Sequence, residues 1–284
     1  ASVNCAREEQ ALRDTKFEST RIKGVNFKGA NFVEFDFHNL DIMDVDFSQA
    51  NLEGAQFAEG SIQGANFEGA NLSRVCFEGI DLGGMNFRKV NFERAILCGV
   101  NFTGANLEGA RLSGANLSGA NLGKTNLRGT ICVGATFKGA RFTDADATGG
   151  DFHQANMFQV KIHRSSFAQA NMENVNLHAA EVRESGFGRV KLTGADIALA
   201  KFESSDLEGA EMDRSCLTGT SIRSTSMKGV TLRRAILQEM ELDGLNLDGA
   251  DFYRARMAGV IIKKVNLKGA ILDSADFKDA RLCA

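Results

Sequence analysis

The sequence contains no proline and no tryptophan, and a single tyrosine, among its 284 residues. Proline lacks a backbone N–H donor and is excluded from the interior of β-sheets. At an average usage of about 5%, roughly fourteen prolines would be expected in a chain of this length. Their absence predicts a fold in which almost every backbone N–H is hydrogen-bonded.

The sequence also lacks a strong net charge and a long apolar run. The formal net charge is −3 at pH 7, so no strong field attracts nucleic acid or anionic lipid. No segment approaches the roughly eighteen consecutive apolar residues that mark a membrane-spanning helix. We therefore expect neither a nucleic-acid partner nor a membrane span.

The six cysteines show no CxxC spacing and no repeated interval. This pattern favours free thiols in a reducing compartment, and hence the cytoplasm. The chain begins at Ala1 without methionine. If a targeting segment had been removed before Ala1, the thylakoid lumen or the periplasm would be expected instead.

A period of five residues runs from Leu12 to Leu282. Every position in this range whose number ends in 2 or 7 holds Leu, Ile, Val, Met or Phe, except Cys132 and Ala147. Positions ending in 0 or 5 favour small residues, and positions ending in 4 or 9 hold most of the 30 glycines. A period of five matches neither the 3.6 of a helix nor the 2 of a simple strand.

The segments GANLEGA at 104–110 and ANLSGANL at 115–122 resemble the pentapeptide repeat family, whose consensus reads A(D/N)LxG or A(D/N)Fxx. The resemblance covers residues 12–282. It implies an all-β fold, a right-handed quadrilateral β-helix in which four pentapeptides make one coil of twenty residues. About 13–14 coils would form here. The family is abundant in cyanobacteria and in chloroplast lumens.

Outward charges at an interval of twenty residues support this coil length independently. Stacked coils lie about 4.8 Å apart, where opposite charges attract and like charges repel. The signs alternate in three runs: Glu68, Arg88, Glu108, Arg128; Glu208, Lys228, Asp248, Lys268; and Arg183, Glu203, Arg223, Asp243, Lys263. Asn66, Asn86, Asn106 and Asn126 form a parallel run of amides.

The two ends of the repeat differ. Residues 1–11 do not fit the period and predict a short capping helix, with Asn4 as its N-cap, before a single solenoid domain at 12–284. The repeat continues to Leu282 without a second cap. Either the chain continues beyond this sequence, or the uncapped C-terminal end contacts another molecule. If that molecule is a second copy, a homodimer would form.

The middle of the chain contains two irregularities. Ala147 replaces a large residue and predicts an internal void, unless Phe142 or Phe152 leans into it. From residue 154 to 189 each expected corner glycine is absent. We expect these corners to adopt a different turn with negative φ. The positions are Gln154, Gln159, Arg164, Gln169, Asn174, Ala179, Glu184 and Arg189.

No catalytic, cofactor-binding or metal-binding constellation is predicted. The coil geometry places His153, His163 and His178 on three different faces, so they cannot share a metal. Gly-x-x-x-x-Gly spacings follow from the period of five and carry no information about phosphate binding. A packed solenoid offers no concave pocket for a substrate. We therefore expect a protein that is not an enzyme.

Two groups of outward residues are candidate contacts. Residues 31–87 carry ten acidic side chains against one basic side chain, Arg74. Four of the acids occupy positions where the repeat asks for Asn or Asp, and the others are candidates for an acidic interaction surface: Glu34, Asp44, Glu53, Glu59, Glu68 and Glu78. The apolar candidates are Phe158 in the middle of the rod and Tyr253, Ile261 and Ile271 toward its C-terminus.

Two functions are consistent with these features. The first is a non-enzymatic scaffold that binds a protein partner through the faces and the C-terminal end of a rigid rod. The second comes from the resemblance, because some members of the family mimic DNA, bind DNA gyrase and confer resistance to gyrase poisons. The small net charge and the absence of a projecting loop disfavour this second function.

Overall fold

The computed structural model describes residues 21–283, which form a parallel β-solenoid of about 13 turns. Its strands are three residues long: β1 Arg21–Lys23, β2 Asp41–Met43, β3 Ser61–Gln63, β4 Arg141–Thr143, β5 Lys161–His163, β6 Glu181–Arg183, β7 Lys201–Glu203, β8 Ser221–Arg223, β9 Glu241–Asp243, β10 Ile261–Lys263 and β11 Arg281–Cys283. No helix occurs within 21–283, and none could therefore span a membrane there. The capping helix predicted for residues 1–11 lies outside the described residues.

Each turn has four walls, and each wall contributes one rung of five residues per turn. Wall 1 contains the strands, with rungs such as 41–45, and walls 2, 3 and 4 follow at 46–50, 51–55 and 56–60. The second and fifth residues of a rung point inward, whereas the first, third and fourth point outward. On walls 2 to 4 the rungs are joined by parallel bridges between residues twenty apart, such as Asn66↔Asn86.

The predicted coil of twenty residues is confirmed. Arg88 lies between two glutamates, with Nη1 3.3 Å from Glu68 Oε1 and Nε 3.7 Å from Glu108 Oε2. The amide run also stacks, since Asn86 Nδ2 donates to Asn66 Oδ1 at 3.2 Å. Two cations pair with an acidic residue at the first position of a neighbouring rung and not with the predicted residue at the third position. Arg128 pairs with Asp146, and Lys263 pairs with Glu241.

Stacked apolar side chains fill the interior. From Phe32 to Ile262, the second residue of every rung is buried. Phenylalanines in one column stack face to face, with ring centroids of Phe67 lying 5.2 Å from those of Phe47 and Phe87. Buried polar side chains are also satisfied, because none among the described residues lacks a hydrogen-bond partner.

The expectation of negative φ at the eight corners without glycine is wrong. All eight corner residues have a positive φ, between 47° and 58°. The corner makes two backbone bonds that fix its conformation: Gln154 N–H donates to Glu173 C=O at 3.0 Å, and Ala155 N–H donates to Phe152 C=O at 3.0 Å. A left-handed residue other than glycine costs about 1–2 kcal/mol, which is less than leaving both bonds unmade.

Glycine should therefore stabilise a corner where a residue with a side chain is now held in a strained left-handed backbone conformation. Gln169 has φ of 58°, and we expect Gln169→Gly to raise the free energy of unfolding by about 0.5–1 kcal/mol, after the entropy cost of glycine in the unfolded chain. The matched control is Ala168→Gly, which relieves no left-handed strain and should destabilise. Urea unfolding monitored by circular dichroism measures both. Equal destabilisation by the two variants would contradict the explanation.

At Ala147 the structure shows the exception to the predicted void, because neighbouring phenylalanines lean toward the space beside it. Phe142 and Phe152 both contact Phe167, with ring centroids 5.3 Å and 5.4 Å away. Gly150 makes room for the second ring, because a Cβ atom there would lie 2.7 Å from Phe152 Cε2. Phe152 therefore leans over Gly150 and offsets the volume lost at Ala147.

A ladder of buried hydroxyls replaces the corner hydrogen bond next to strands β4 to β8. Ser165 N–H donates to Ser185 Oγ at 3.1 Å, and Ser185 N–H donates to Ser205 Oγ at 3.2 Å. The Ser185 hydroxyl in turn donates to Arg183 C=O at 2.6 Å. Each hydroxyl thus accepts a hydrogen bond from one N–H of the rung before it and donates one to a carbonyl of its own rung.

Removal of one hydroxyl from this ladder should leave a buried N–H unpaired. We expect Ser185→Ala to lower the free energy of unfolding by about 1–3 kcal/mol, the cost of one unsatisfied buried group. Ser215→Ala is the control, because Ser215 Oγ donates to Met212 C=O, which also accepts from Ser215 N–H. The control should lose less. A larger loss for Ser215→Ala in chemical denaturation would contradict this role of the ladder.

Wall 1 is interrupted at two seams. One sheet ends at β3, and the five-stranded sheet ends at β8 without pairing to β9. At the first seam the fifth residues Gly60 and Ile80 are only partly buried. Gly60 approaches the preceding rung so closely that a Cβ atom would lie 2.3 Å from Leu40 O. The seams leave wall 1 less regular than wall 4.

Candidate interaction surface

The filled interior leaves the outer surface as the place for function. Open, mainly polar hollows lie at the two wall-1 seams, beside Ser61 and Asp81 and beside Arg223 and Glu241. An apolar hollow lies at the C-terminal end, lined by Leu242, Ile262, Leu267, Leu272, Phe277 and Leu282 among others. No group of three His, Cys, Asp or Glu side chains within 21–283 could hold a metal ion.

The acidic candidates do not form one surface. Glu34 and Glu53 lie on wall 3, Asp44 on wall 1, Glu59 and Glu78 on wall 4 and Glu68 on wall 2. Several are close to cations: Arg74 Nη2 lies 3.8 Å from Glu34 Oε1 and 3.4 Å from Glu53 Oε1. The charge of residues 31–87 is therefore distributed around the rod and partly neutralised.

The C-terminal apolar candidates are divided between two walls. Tyr253 and Ile271 lie on adjacent rungs of wall 3, where Asp251 bridges to Ile271. Ile261 begins β10 on wall 1, between Glu241 and Arg281. Ile271, Leu272 and Leu282 are exposed at 45%, 37% and 79%, because no rung covers them within the described residues.

A column of four side chains occupies the centre of wall 4. Lys138 Nζ lies 5.7 Å from the Phe158 ring centroid. Phe158 stacks on His178 with centroids 5.9 Å apart, and His178 Nδ1 lies 3.5 Å from Asp196 Oδ2. Phe158, predicted from sequence as a lone apolar contact, is therefore part of an ordered aromatic pair with a cation at one end and a carboxylate at the other.

Sequence reasoning missed the most exposed apolar residue of this wall. Leu199 is 55% exposed, and Ile96, on the same wall, is 44% exposed. Leu199 occupies a corner position, where the repeat favours glycine. A large apolar residue in a glycine position was the signal that could have identified it.

The described cysteines are free thiols in different surroundings. Complete burial raises the pKa of Cys132 to about 12. On wall 4, burial and the nearby Glu78 carboxylate raise the pKa of Cys98. Cys283 is exposed. Because the thiolate is the reacting species, a raised pKa slows alkylation at a given pH.

We expect the folded protein to expose its thiols in a fixed order. At pH 8, iodoacetamide should modify Cys283 first, Cys98 more slowly, and Cys132 only after unfolding. Raising the pH should accelerate Cys98, since a larger fraction becomes thiolate. Peptide mass spectrometry after timed quenching measures each rate. Modification of Cys132 at the rate of Cys283 in the folded protein would contradict the packed interior.

Comparison with known proteins supports the repeat assignment. The model for pentapeptide repeats matches eight times, over residues 12–49, 50–88, 76–114, 86–123, 120–159, 185–223, 225–263 and 250–284. No curated protein sequence is significantly similar to this chain.

Three solved structures show similarity at low sequence identity. HetL, a pentapeptide repeat protein involved in heterocyst differentiation regulation in the cyanobacterium Nostoc sp. strain PCC 7120, is 22% identical, with 88% of this chain and 90% of HetL covered and a TM-score of 0.33. QnrB1, a plasmid-mediated fluoroquinolone resistance protein, is 18% identical over 76% and 92% of the chains, with a TM-score of 0.27. A pentapeptide repeat protein from the Arabidopsis thaliana thylakoid lumen is 25% identical, with 48% of this chain and 66% of that protein covered and a TM-score of 0.17.

Proposed function

Because the chain belongs to the pentapeptide repeat family, we propose that it is a non-enzymatic scaffold that binds a protein partner through the walls and the C-terminal end of a rigid solenoid. The observation that carries this proposal is the continuous burial of the second residue of each rung from Phe32 to Ile262. A substrate would need a concave, water-excluding site, and this interior is already filled by side chains.

The stiffness of the rod supports the same proposal. Each rung is bonded to both neighbours, as in Asn66 N–H to Val45 C=O at 2.9 Å and Phe67 N–H to Asn86 C=O at 3.0 Å. A preorganised surface loses little conformational entropy when it binds. The walls also carry many outward ion pairs, including Arg164 Nε with Asp144 Oδ1 at 2.7 Å, which favours polar protein contacts.

The C-terminal end offers a different kind of contact. Leu272 and Leu282 are exposed and line an apolar hollow together with Phe277. In the proposal this end associates with another protein, and a second copy of the chain would make a homodimer there. Such an end-to-end dimer would be twice the length of one rod.

The proposal is tested by photo-crosslinking from one outward position on each wall. A photoreactive amino acid replaces Thr103, Arg128, Ser113 or Ser118, on walls 1 to 4 in that order, and a fifth variant carries it at Leu272. In extract of the source organism, one protein should crosslink from one wall or from the end, and the purified protein should then bind saturably. No crosslink from any position, or saturable turnover of a small molecule at an outer hollow, would overturn the proposal.

The alternative, a DNA mimic that binds DNA gyrase, depends on an acidic surface. Its one supporting observation is the acidic composition of residues 31–87, and the distribution of Glu34, Asp44 and Glu68 over three walls weakens it. A DNA supercoiling assay with gyrase and a quinolone separates the two functions. The scaffold proposal expects neither inhibition nor protection by this protein, and dose-dependent protection would favour the alternative.

A further inference from the structure

Wall 4 carries fewer charges than the other walls, and it is as regular as walls 2 and 3. Its bridges continue without a break from Asp36↔Gln56 to Arg256↔Asp276, whereas wall 1 has two seams. Between residues 76 and 259 the outward charges of wall 4 are Glu78, Lys138, Asp196, Glu239 and Arg256. The corresponding rungs of wall 1 carry more than twice as many charges. Wall 4 is thus a flat and weakly charged surface with exposed apolar residues.

From this arrangement we infer that wall 4 binds wall 4 of a second copy, with the two rods side by side and antiparallel. The twofold axis would lie in the interface, parallel to the rungs, between rungs 156–160 and 176–180. A rotation about this axis places each position of a rung opposite the same position of its counterpart. A surface used in such an isologous dimer must be complementary to itself.

Between residues 76 and 259 the charges of wall 4 meet this requirement, whereas the next facing rungs outside this range would place Glu59 opposite Asp279. The rotation places the rung of Lys138 opposite the rung of Asp196 in the second copy, and the rung of Glu78 opposite the rung of Arg256. In each pair one charged residue is at the third position of its rung and the other is at the first position of the facing rung. Long side chains can bridge this separation. Glu239 faces the uncharged rung of Ile96. No facing rungs in this range carry like charges.

The sizes of the side chains are complementary as well. At the fourth position, Leu199 faces Gly139 and Glu239 faces Gly99 of the second copy. Each bulky corner therefore meets a glycine.

At the third position, Lys138 faces Ala198, Glu78 faces Ala258, and Phe158 faces His178. Phe158 already stacks on His178 of its own chain, so four aromatic rings would meet at the axis. At the first position Ile96, which is 44% exposed, faces Ile236.

The extent of this surface suits a weak, specific dimer. Nine rung spacings of about 4.8 Å give a length of about 43 Å, and a wall is about 12 Å wide. The two copies would bury about 1,000 Å² in total, near the lower limit for a specific interface. We expect a dissociation constant in the micromolar range. This inference rests on the proposed function in one respect, that an outer wall is a contact surface.

Charge exchange between Glu78 and Arg256 tests the antiparallel arrangement. Both side chains are exposed, so substitution should leave the thermal unfolding temperature unchanged. Glu78→Arg and Arg256→Glu should each raise the dimer dissociation constant about tenfold, since symmetry makes every change act twice. The double variant restores opposite charges and should return to within about twofold of the unmodified chain. Lys228→Glu on wall 2, with the same charge change as Arg256→Glu, is the control and should have no effect.

Sedimentation velocity over a concentration series measures the dissociation constants, and small-angle X-ray scattering measures the length of the dimer. A side-by-side dimer should have a maximum dimension of about 75 Å, about two rungs more than the roughly 65 Å of one rod, because the axis lies about one rung from the middle of the chain. The inference is overturned by a chain that stays monomeric at submillimolar concentration, by a dimer of about twice the length of one rod, or by a double variant as weak as the single ones. A monomeric chain that still crosslinks to a protein partner would leave the scaffold proposal intact.

Discussion

The backbone hydrogen bond between successive rungs is the interaction on which the rest of this structure depends. Asn66 N–H donates to Val45 C=O, and Phe67 N–H donates to Asn86 C=O, so each rung is bonded above and below. These bonds require the chain to return to the same place every twenty residues. They thereby force a left-handed residue at every corner of the described chain, whether or not glycine is available.

The same constraint determines where function can reside. A turn of twenty residues encloses just enough space for its inward side chains, and variation inside is compensated locally. Phe152 leans over Gly150 near Ala147, and Thr125 Oγ1 donates to Phe102 C=O inside the core. Outward positions are free of this constraint. Under the proposed function, differences between the walls are the features that distinguish partners, such as the charged pairs of wall 1 and the aromatic pair of Phe158 and His178 on wall 4.

Most of the fold could be predicted from the sequence, because a period of five repeated over the whole chain leaves little freedom. The core, the stacking of Glu68, Arg88 and Glu108, and the separation of the histidines follow from position alone. The corners at Gln154 to Arg189 could not be predicted from residue preference. The backbone hydrogen bonds between rungs outweigh the preference of single residues for negative φ. The seam at Gly60 and the hydroxyl ladder through Ser185 depend on small shifts between rungs that the period does not encode. Leu199 and the column around Phe158 form a candidate surface only because the fold places them on the same wall.

Distances between labels on one wall test the central claim, that residues twenty apart lie on successive rungs. Spin labels at positions 28 and 128 are separated by five rungs of wall 2, and labels at 28 and 228 by ten, in a protein whose native cysteines are replaced. Pulsed electron paramagnetic resonance should give about 24 Å for the first pair and about 48 Å for the second, once the label linkers are taken into account. Distances that do not double with the number of rungs would contradict the account.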